Sequence, residues 1–378
     1  MKILHIIDSG GLYGAERMLL GLATQCRRLG HTVTVGTIVA PDDTEDALGD
    51  AALACGLPLK QFRMQDGLNL RGARDILRYA DQQGFEIIHS HGYKANILLA
   101  LVPGRRRQRM VCTLHGWASI GRRDRLWFYE ELDRRLLWRF DRVVVVSEPM
   151  RKVASRHVGP DRLVVIPNGI QFPGHGAPID AARIPPVRSG TEPVRILAIG
   201  RLSYEKGFER LVEAAKILSV AGMNLIITIA GEGDGRAGLE RQIADAGLHD
   251  QVRLPGYIRD VNALYKDADL FVLCSRTEGL PLVLLEAMSL GLPVIATPVG
   301  EIPTVLGQGQ FGCLLEDDSP QSLADGIRHV TGSLHAHSAD VAASAIAHVR
   351  AEYSAETMAY RYCRVYAECM GIAVESGR

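Results

Sequence analysis

Residues 194–218, VRILAIGRLSYEKGFERLVEAAKIL, decide the fold. A β-branched and apolar run, Arg195 to Ile199, breaks at Gly200 into a short polar loop, and a helix pattern follows from Phe208 to Leu218. A strand feeding a helix through a glycine-containing turn is the repeating element of a parallel sheet wrapped by helices. Downstream the pattern recurs: Asn224 to Ala230, a helix from Arg236 to Ala246, Leu270 to Cys274, a helix from Leu282 to Leu290, and Pro293 to Ala296. Upstream it is already present. Strand patterns at Ile3 to Ile7, Val33 to Val39, Ile87 to His89, Val111 to Leu114, Val143 to Val146 and Leu163 to Ile166 accompany a helix pattern from Ala15 to Leu29.

Between these halves, Phe172 to Pro193 carries five prolines and three glycines without apolar period, which is linker composition. Two doubly wound α/β domains are therefore expected, 1–171 and 194–353, joined by the linker 172–193. After Ser319 the chain reads as helix, and 354–378 is expected to cross the linker and pack on the first domain.

Composition narrows the function classes. The 378 residues are 47% hydrophobic and 23% charged, enough apolar material for two cores. Forty-three basic residues balance 43 acidic ones, so no whole-chain field draws the protein to nucleic acid. The seven cysteines show no metal-ligand spacing and read as thiols of a reducing compartment. The amino-terminal apolar run stops at Asp8, too short for a signal peptide. A cytoplasmic protein is expected, with any membrane contact peripheral.

In open α/β sheets ligands bind beyond the carboxyl ends of the strands, so the loops that follow strands carry the chemistry. After the first strand, Asp8-Ser9-Gly10-Gly11-Leu12-Tyr13-Gly14 is either a flexible turn or a place where a ligand approaches bare backbone at a helix start. In Gly200 to Gly207, Arg201 and Lys206 stand before a helix, where cations gain nothing from the helix dipole but can neutralise a diphosphate. In Ser275-Arg276-Thr277-Glu278-Gly279-Leu280-Pro281, Pro281 suits the first helical position, which aims the N–H groups of Gly279 to Leu282 at a ligand. Glu286 then falls among Leu, Val, Ala and Met, where a carboxylate needs a hydroxyl or cationic partner. His115, at the end of a first-domain strand, reads either as a site residue or as a satisfied structural histidine.

Taken together, these loops resemble the retaining glycosyltransferases of family 4. Glu278 and Glu286 match that family's Glu-x7-Glu motif within EGLPLVLLEAMSLGLPVIAT, and GRLSYEKG, IPNGI (Ile166 to Ile170), AGEGD (Ala230 to Asp234) and the Gly10-Gly11 loop fall in the family order. The resemblance implies a GT-B fold, two Rossmann-like doubly wound domains facing across a cleft. It implies a nucleotide-sugar donor, a UDP-sugar first and GDP-mannose next, and transfer with retention of anomeric configuration to a saccharide or lipid-linked saccharide, as in cell-surface polysaccharide or glycolipid synthesis. Arg201 and Lys206 would hold the donor diphosphate, Glu286 the ribose, and Glu278 the transferred sugar. Gly279, Leu280 and Pro281 would meet phosphates or sugar, His115 would lie near the reacting carbon, and Gly10 and Gly11 would leave room for the phosphates. The base would be read around Tyr257 and Ile258. Front-face displacement, with the leaving phosphate helping to take the acceptor proton, needs positioning and charge stabilisation more than a nucleophile.

Other readings fit less well. A glycoside hydrolase needs its carboxyl pair flanking a glycosidic bond, whereas Glu286 sits beside a phosphate-binding pattern. A dehydrogenase needs G-x-G-x-x-G/A, and Gly231-Glu232-Gly233-Asp234-Gly235-Arg236 has Arg where the third small residue belongs. Asp267-Ala268-Asp269 matches the Asp-x-Asp metal motif as text but precedes a strand, so it reads as a turn; no metal or other cofactor is expected. A non-catalytic sugar-nucleotide sensor or inactive partner subunit remains the alternative, since fold alone does not establish activity.

On the acceptor side, residues 101 to 160 hold 14 Lys and Arg against 6 Asp and Glu. In the helix-patterned stretch 121–140, Phe128, Tyr129, Leu132, Leu136 and Phe140 form an expected core face. Trp127, Arg134 and Trp138 fall off it as a stripe suited to an anionic bilayer interface, or alternatively to packing under a loop or lining an acceptor groove.

Overall fold

The computed structural model describes residues 1–8, 11–12, 14–43, 45–104, 106–116, 125–172, 192–332 and 339–373. The chain divides into two compact units, Met1–Gln171 with Tyr353–Arg378, and Phe172–Glu352.

The first unit is built on a seven-stranded sheet: β1 (Lys2–Asp8), β2 (Thr32–Val39), β3 (Leu59–Arg63), β4 (Ile87–His91), β5 (Arg109–Leu114), β6 (Arg142–Val145) and β7 (Leu163–Val165). Their order is β3-β2-β1-β4-β5-β6-β7, with every pairing parallel. The order reverses between β1 and β4, which opens a crevice at their carboxyl ends. One face of the sheet carries Leu4, Ile6, Ile88, Cys112 and Val143. The other carries Ile3, Ile7, Val111 and Val144, covered by Met18, Leu19 and Leu22 of the helix Gly14–Arg28 and by Met358, Tyr362 and Tyr366 of the helix Ala355–Cys369. The carboxy-terminal helix is anchored where it begins. Ile170 N–H donates to Tyr353 O at 2.8 Å and Ala355 N–H to Ile170 O at 2.8 Å, while Ser354 caps the helix through Thr357 N–H.

The second unit has six parallel strands: β8 (Val194–Ile199), β9 (Leu225–Ala230), β10 (Val252–Gly256), β11 (Leu270–Leu273), β12 (Val294–Ala296) and β13 (Cys313–Leu314). Their order is β10-β9-β8-β11-β12-β13, so the reversal lies between β8 and β11. The loops after those two strands are the ones that carry Arg201, Lys206, Glu278 and Glu286. Three helices, Pro320–Gly332, Ala339–Tyr353 and Ala355–Cys369, follow β13.

The stretch after β5 departs from expectation. Its helix spans Arg125–Leu136, and residues 117–124 lie outside the described residues. Phe128 is 58% exposed and Tyr129, Leu132 and Leu136 are half-buried, whereas Glu130, Asp133, Leu137 and Phe140 are buried. Of the expected core face, Phe140 is in the core and Leu136 packs against it, whereas Phe128, Tyr129 and Leu132 do not form the buried side. The helix tightens into a 3₁₀ turn at Leu137–Arg139, so Trp138 follows a tighter winding than Trp127. Arg134 is folded back on its own helix in ion pairs with Glu130 and Glu131 at 3.4 and 3.2 Å, so it does not stand between them as a lipid-facing cation. Trp138 is 56% exposed and Trp127 half-buried. In the nearby basic cluster, Arg106 donates to the carbonyls of Leu99 and Val102, ending the helix Tyr93–Leu101 rather than facing solvent.

Candidate active site

In the second unit the crevice is framed by two loops that are fastened to each other. After β8, the chain makes a 3₁₀ turn at Tyr204–Lys206 and enters the helix Phe208–Val220 through Gly207. After β11, Arg276 N–H donates to Glu205 O at 2.8 Å, Arg276 Nη1 donates to Tyr204 O at 2.7 Å, and its guanidinium lies 4.0 Å from the Tyr204 ring centroid. Buried Arg210 donates from Nη2 to Cys274 O at 2.8 Å. Sequence reasoning did not single out Arg276 or Arg210, although each is a cation that donates to backbone carbonyls rather than to water.

Lys206 and Glu278 meet across these loops, Nζ to Oε1 at 2.5 Å, and Ser275 Oγ donates to the same oxygen at 2.6 Å. Glu278 is thus held in one rotamer with its second oxygen left over, and the Lys206 ammonium keeps two N–H donors beyond this pair. Arg201 is exposed and makes no hydrogen bond or ion pair among the described residues. With Lys206 it contributes to holding the Glu205 carboxyl below the usual range, after the hydrogen bonds from Ser203 and the backbone.

Gly279 is exposed, whereas Leu280 and Pro281 are buried. The helix starts at Leu282, so Pro281 occupies the capping position, one residue earlier than expected. The close fit of this turn needs Gly300: its φ is +58°, and a Cβ there would lie 2.0 Å from Glu278 O. Gly231 has the same kind of role, since a Cβ would lie 1.8 Å from Gly200 O. The Gly231-x-Gly233 string therefore buttresses the Arg201 loop through backbone contact. Glu286 is half-buried, with Tyr265 OH 2.9 Å from its Oε2 and 3.1 Å from Val283 O. The hydroxyl partner that an apolar helix demands is supplied by Tyr265, on the short helix Asn262–Asp267, and nothing in the local sequence signals it. Tyr257 is exposed and Ile258 half-buried. Asp269 accepts Arg195 N–H at 2.8 Å and Asp267 pairs with the Arg195 side chain, which puts both carboxylates at the amino end of β11, opposite the crevice.

In the first unit the loop after β1 is described only in part: Gly11 is half-buried and Gly10 lies outside the described residues. Beside it Lys94 bridges Asp8 at 3.0 Å and Asp66 at 2.8 Å. His115 directly follows β5 and leads a row of imidazoles. Its Nε2 is 3.3 Å from His91 Nδ1, and His91 Nε2 is 3.0 Å from His5 Nδ1. His89, alongside, bonds Tyr366 OH at 2.7 Å and Thr113 Oγ1 at 2.8 Å. The register pairs His5 with His89 on adjacent strands, and His-x-His keeps His89 and His91 on one face. Burial pushes His115 down to about 4 and His5 to about 3, and lowers His89 and His91 as well, so the row is neutral at pH 7. His115 is therefore half-buried and tethered to a structural network. The spacing of His5, His89 and His91 within apolar strands was the available signal for that network.

Two parallel α/β units with these loop arrangements define the GT-B glycosyltransferase fold. Residues 13–172 match the family described as "Glycosyltransferase Family 4", and residues 183–333 match "Glycosyl transferases group 1". The chain is accordingly a glycosyltransferase-family protein with one of these domains in each half. Among relatives, it is 26% identical over 99% of its length, and 95% of the other protein, to a GDP-mannose:cellobiosyl-diphosphopolyprenol alpha-mannosyltransferase from Komagataeibacter xylinus. It is 37% identical over 35% of each chain to an amylovoran biosynthesis glycosyltransferase from Erwinia amylovora. The fold matches that of Anabaena HepE in complex with UDP, with a TM-score of 0.81 at 22% identity over 97% of this chain and 100% of that one. Sucrose-phosphate synthase from Thermosynechococcus elongatus matches at 0.76 and 19% identity, over 98% and 100%.

Proposed function

We propose that the protein transfers a sugar, with retention of anomeric configuration and without a metal ion, from a nucleoside-diphosphate sugar to a saccharide carried on a lipid diphosphate. The observation that carries this reading is the pairing at the β8–β11 reversal: a solvent-open Arg201 and a Lys206 with donors to spare stand on the same loop, with Glu278 fixed against Lys206.

As the sugar–phosphate bond breaks, charge grows on the diphosphate, and the two cations stabilise it in the place a metal would otherwise occupy. Glu278 accepts from hydroxyls of the transferred sugar, and Glu286, together with Tyr265, from those of the ribose. Neutral His115 faces the sugar without adding charge. The acceptor hydroxyl enters on the face the leaving group departs from, and its proton passes to a phosphate oxygen, so no protein nucleophile is needed.

A polyprenol-linked acceptor is supported by the naming of relatives aligned over most of the chain, from Komagataeibacter xylinus and Xanthomonas oryzae. Synthesis of a surface polysaccharide at the inner face of an anionic membrane follows from such an acceptor. The same relatives are named for GDP-mannose, which favours guanine, whereas the UDP-bound fold neighbours keep a uridine donor as the second reading. A thermal-shift panel of GDP, UDP, ADP and dTDP separates the two, because the nucleotide that binds raises the midpoint above the others. Proton NMR of the first product formed on a polyprenyl-diphosphate saccharide reads the anomeric configuration, and an inverted product ends this reading.

A further inference from the structure

Two cysteines from opposite ends of the chain lie side by side in the first unit. Cys26, in the last turn of the helix Gly14–Arg28, and Cys363, midway along the helix Ala355–Cys369, have sulfurs 3.6 Å apart. The pair is asymmetric: Cys26 is fully buried, and Cys363 is partly exposed. A third group is fixed beside them. His31 N–H donates to Cys26 O at 3.0 Å as the helix ends, and its imidazole is near enough to favour the Cys363 thiolate. We propose that Cys26 and Cys363 form an oxidation site, in which Cys363 reacts with a peroxide and Cys26 resolves the product to a disulfide that staples the carboxy-terminal helix to the amino-terminal one.

Three features support the assignment. Forming a disulfide requires the sulfurs to close by roughly 1.5 Å, within reach of side-chain rotation on two helices already in contact. The hydrogen bond from Cys26, with the nearby His31 imidazole, holds the Cys363 thiol below the usual range, and the same pairing and burial push Cys26 up. The partly exposed thiol is therefore the nucleophile, and the buried one the resolver. Cys55 is exposed but has no such neighbours among the described residues, so it provides the internal comparison.

The chemistry closes with a peroxide as the sole oxidant. The Cys363 thiolate attacks one peroxide oxygen, the O–O bond breaks, and the hydroxide that leaves takes up the thiol proton as water. The Cys26 sulfur then attacks the Cys363 sulfenic acid: an S–S bond forms, the S–O bond breaks, and the Cys26 proton leaves with the hydroxyl as a second water. Two electrons pass from the thiols to the peroxide.

This site is independent of the proposed transfer reaction. Full-length protein is treated with hydrogen peroxide, remaining thiols are alkylated, and peptides are mapped by mass spectrometry with and without dithiothreitol. A linked Cys26–Cys363 peptide that dithiothreitol releases is the expected product. In untreated protein at pH 7, Cys363 should react with iodoacetamide about tenfold faster than Cys55. Cys26→Ser should leave a sulfenic acid on Cys363 that dimedone traps, and Cys363→Ser should leave Cys26 reduced. Oxidation of Cys55 with no Cys26–Cys363 link, or linkage at an unchanged rate in other cysteine pairs, overturns the proposal.

Discussion

The Lys206 ammonium and the Glu278 carboxylate are joined across two loops by a 2.5 Å contact, so the cation assigned to phosphate and the carboxylate assigned to sugar share one hydrogen-bonded unit. Moving either residue disturbs the other. Lys206→Ala should lower kcat/KM by about 100-fold, chiefly through kcat, since leaving-group charge is largest in the transition state. Steady-state kinetics at saturating donor measure the split, and wild-type activity should persist in EDTA.

Glu286 and Glu278 should separate in binding experiments. Glu286→Ala removes the ribose acceptor and should weaken the nucleoside diphosphate by about tenfold, the worth of one charge-assisted hydrogen bond. Glu278→Ala should leave that affinity nearly unchanged while it weakens the intact donor. Titration calorimetry with both ligands tests the assignment, and Tyr265→Phe should fall on the Glu286 side.

The buried histidines predict acid sensitivity. His5, His89 and His91 have folded pKa values depressed below 6.5, so in the unfolded chain they bind protons that the native state refuses. The unfolded form gains protons as pH falls through 6.5, and stability present above that pH is lost below it. Three such groups cost at most about 4 kcal/mol per pH unit. Urea midpoints at pH 7, 6 and 5 should fall progressively, and His5→Leu should make the fall shallower.

Membrane contact, if it serves the lipid-linked acceptor, should run through the exposed Trp138 and Phe128 rather than an arginine-centred stripe. Co-sedimentation with anionic vesicles should weaken with salt, and Trp138→Ala should cost about tenfold in partitioning. Arg134→Ala should leave partitioning unaltered, because that guanidinium is already committed to Glu130 and Glu131.

These outcomes also mark what could be read from the chain beforehand. Loops directly after apolar strands were legible, because a buried parallel strand writes a continuous run and its end is sharp; Arg201, Lys206, Glu278 and Glu286 all follow such ends. Two of the edge strands were not. LKQFR of β3 and VRLPG of β10 face water on part of their surface and carry no apolar run. Partners from distant segments, such as Tyr265 for Glu286 or Tyr366 for His89, leave no local trace. The core face of the helix Arg125–Leu136 was only partly legible for a different reason. Ideal helical phase was extended through Leu137–Arg139, where the chain is wound more tightly, and the buried positions turned out to include Glu130 and Asp133.

The return of the carboxy-terminal helix to the first sheet has a consequence for biosynthesis. Phe172–Glu352 is contiguous in sequence and interrupts the chain of the first unit, so it can complete its sheet as it leaves the ribosome. The first unit cannot. Until Tyr362 and Tyr366 emerge, the face around Ile3, His89 and Val111 has only the cover of the helix Gly14–Arg28, and the earliest-made half of the protein is the last to finish folding. Nascent chains stalled before residue 355 should therefore protect the second unit from protease while leaving the first open to it, and to the chaperones that bind exposed apolar sheet.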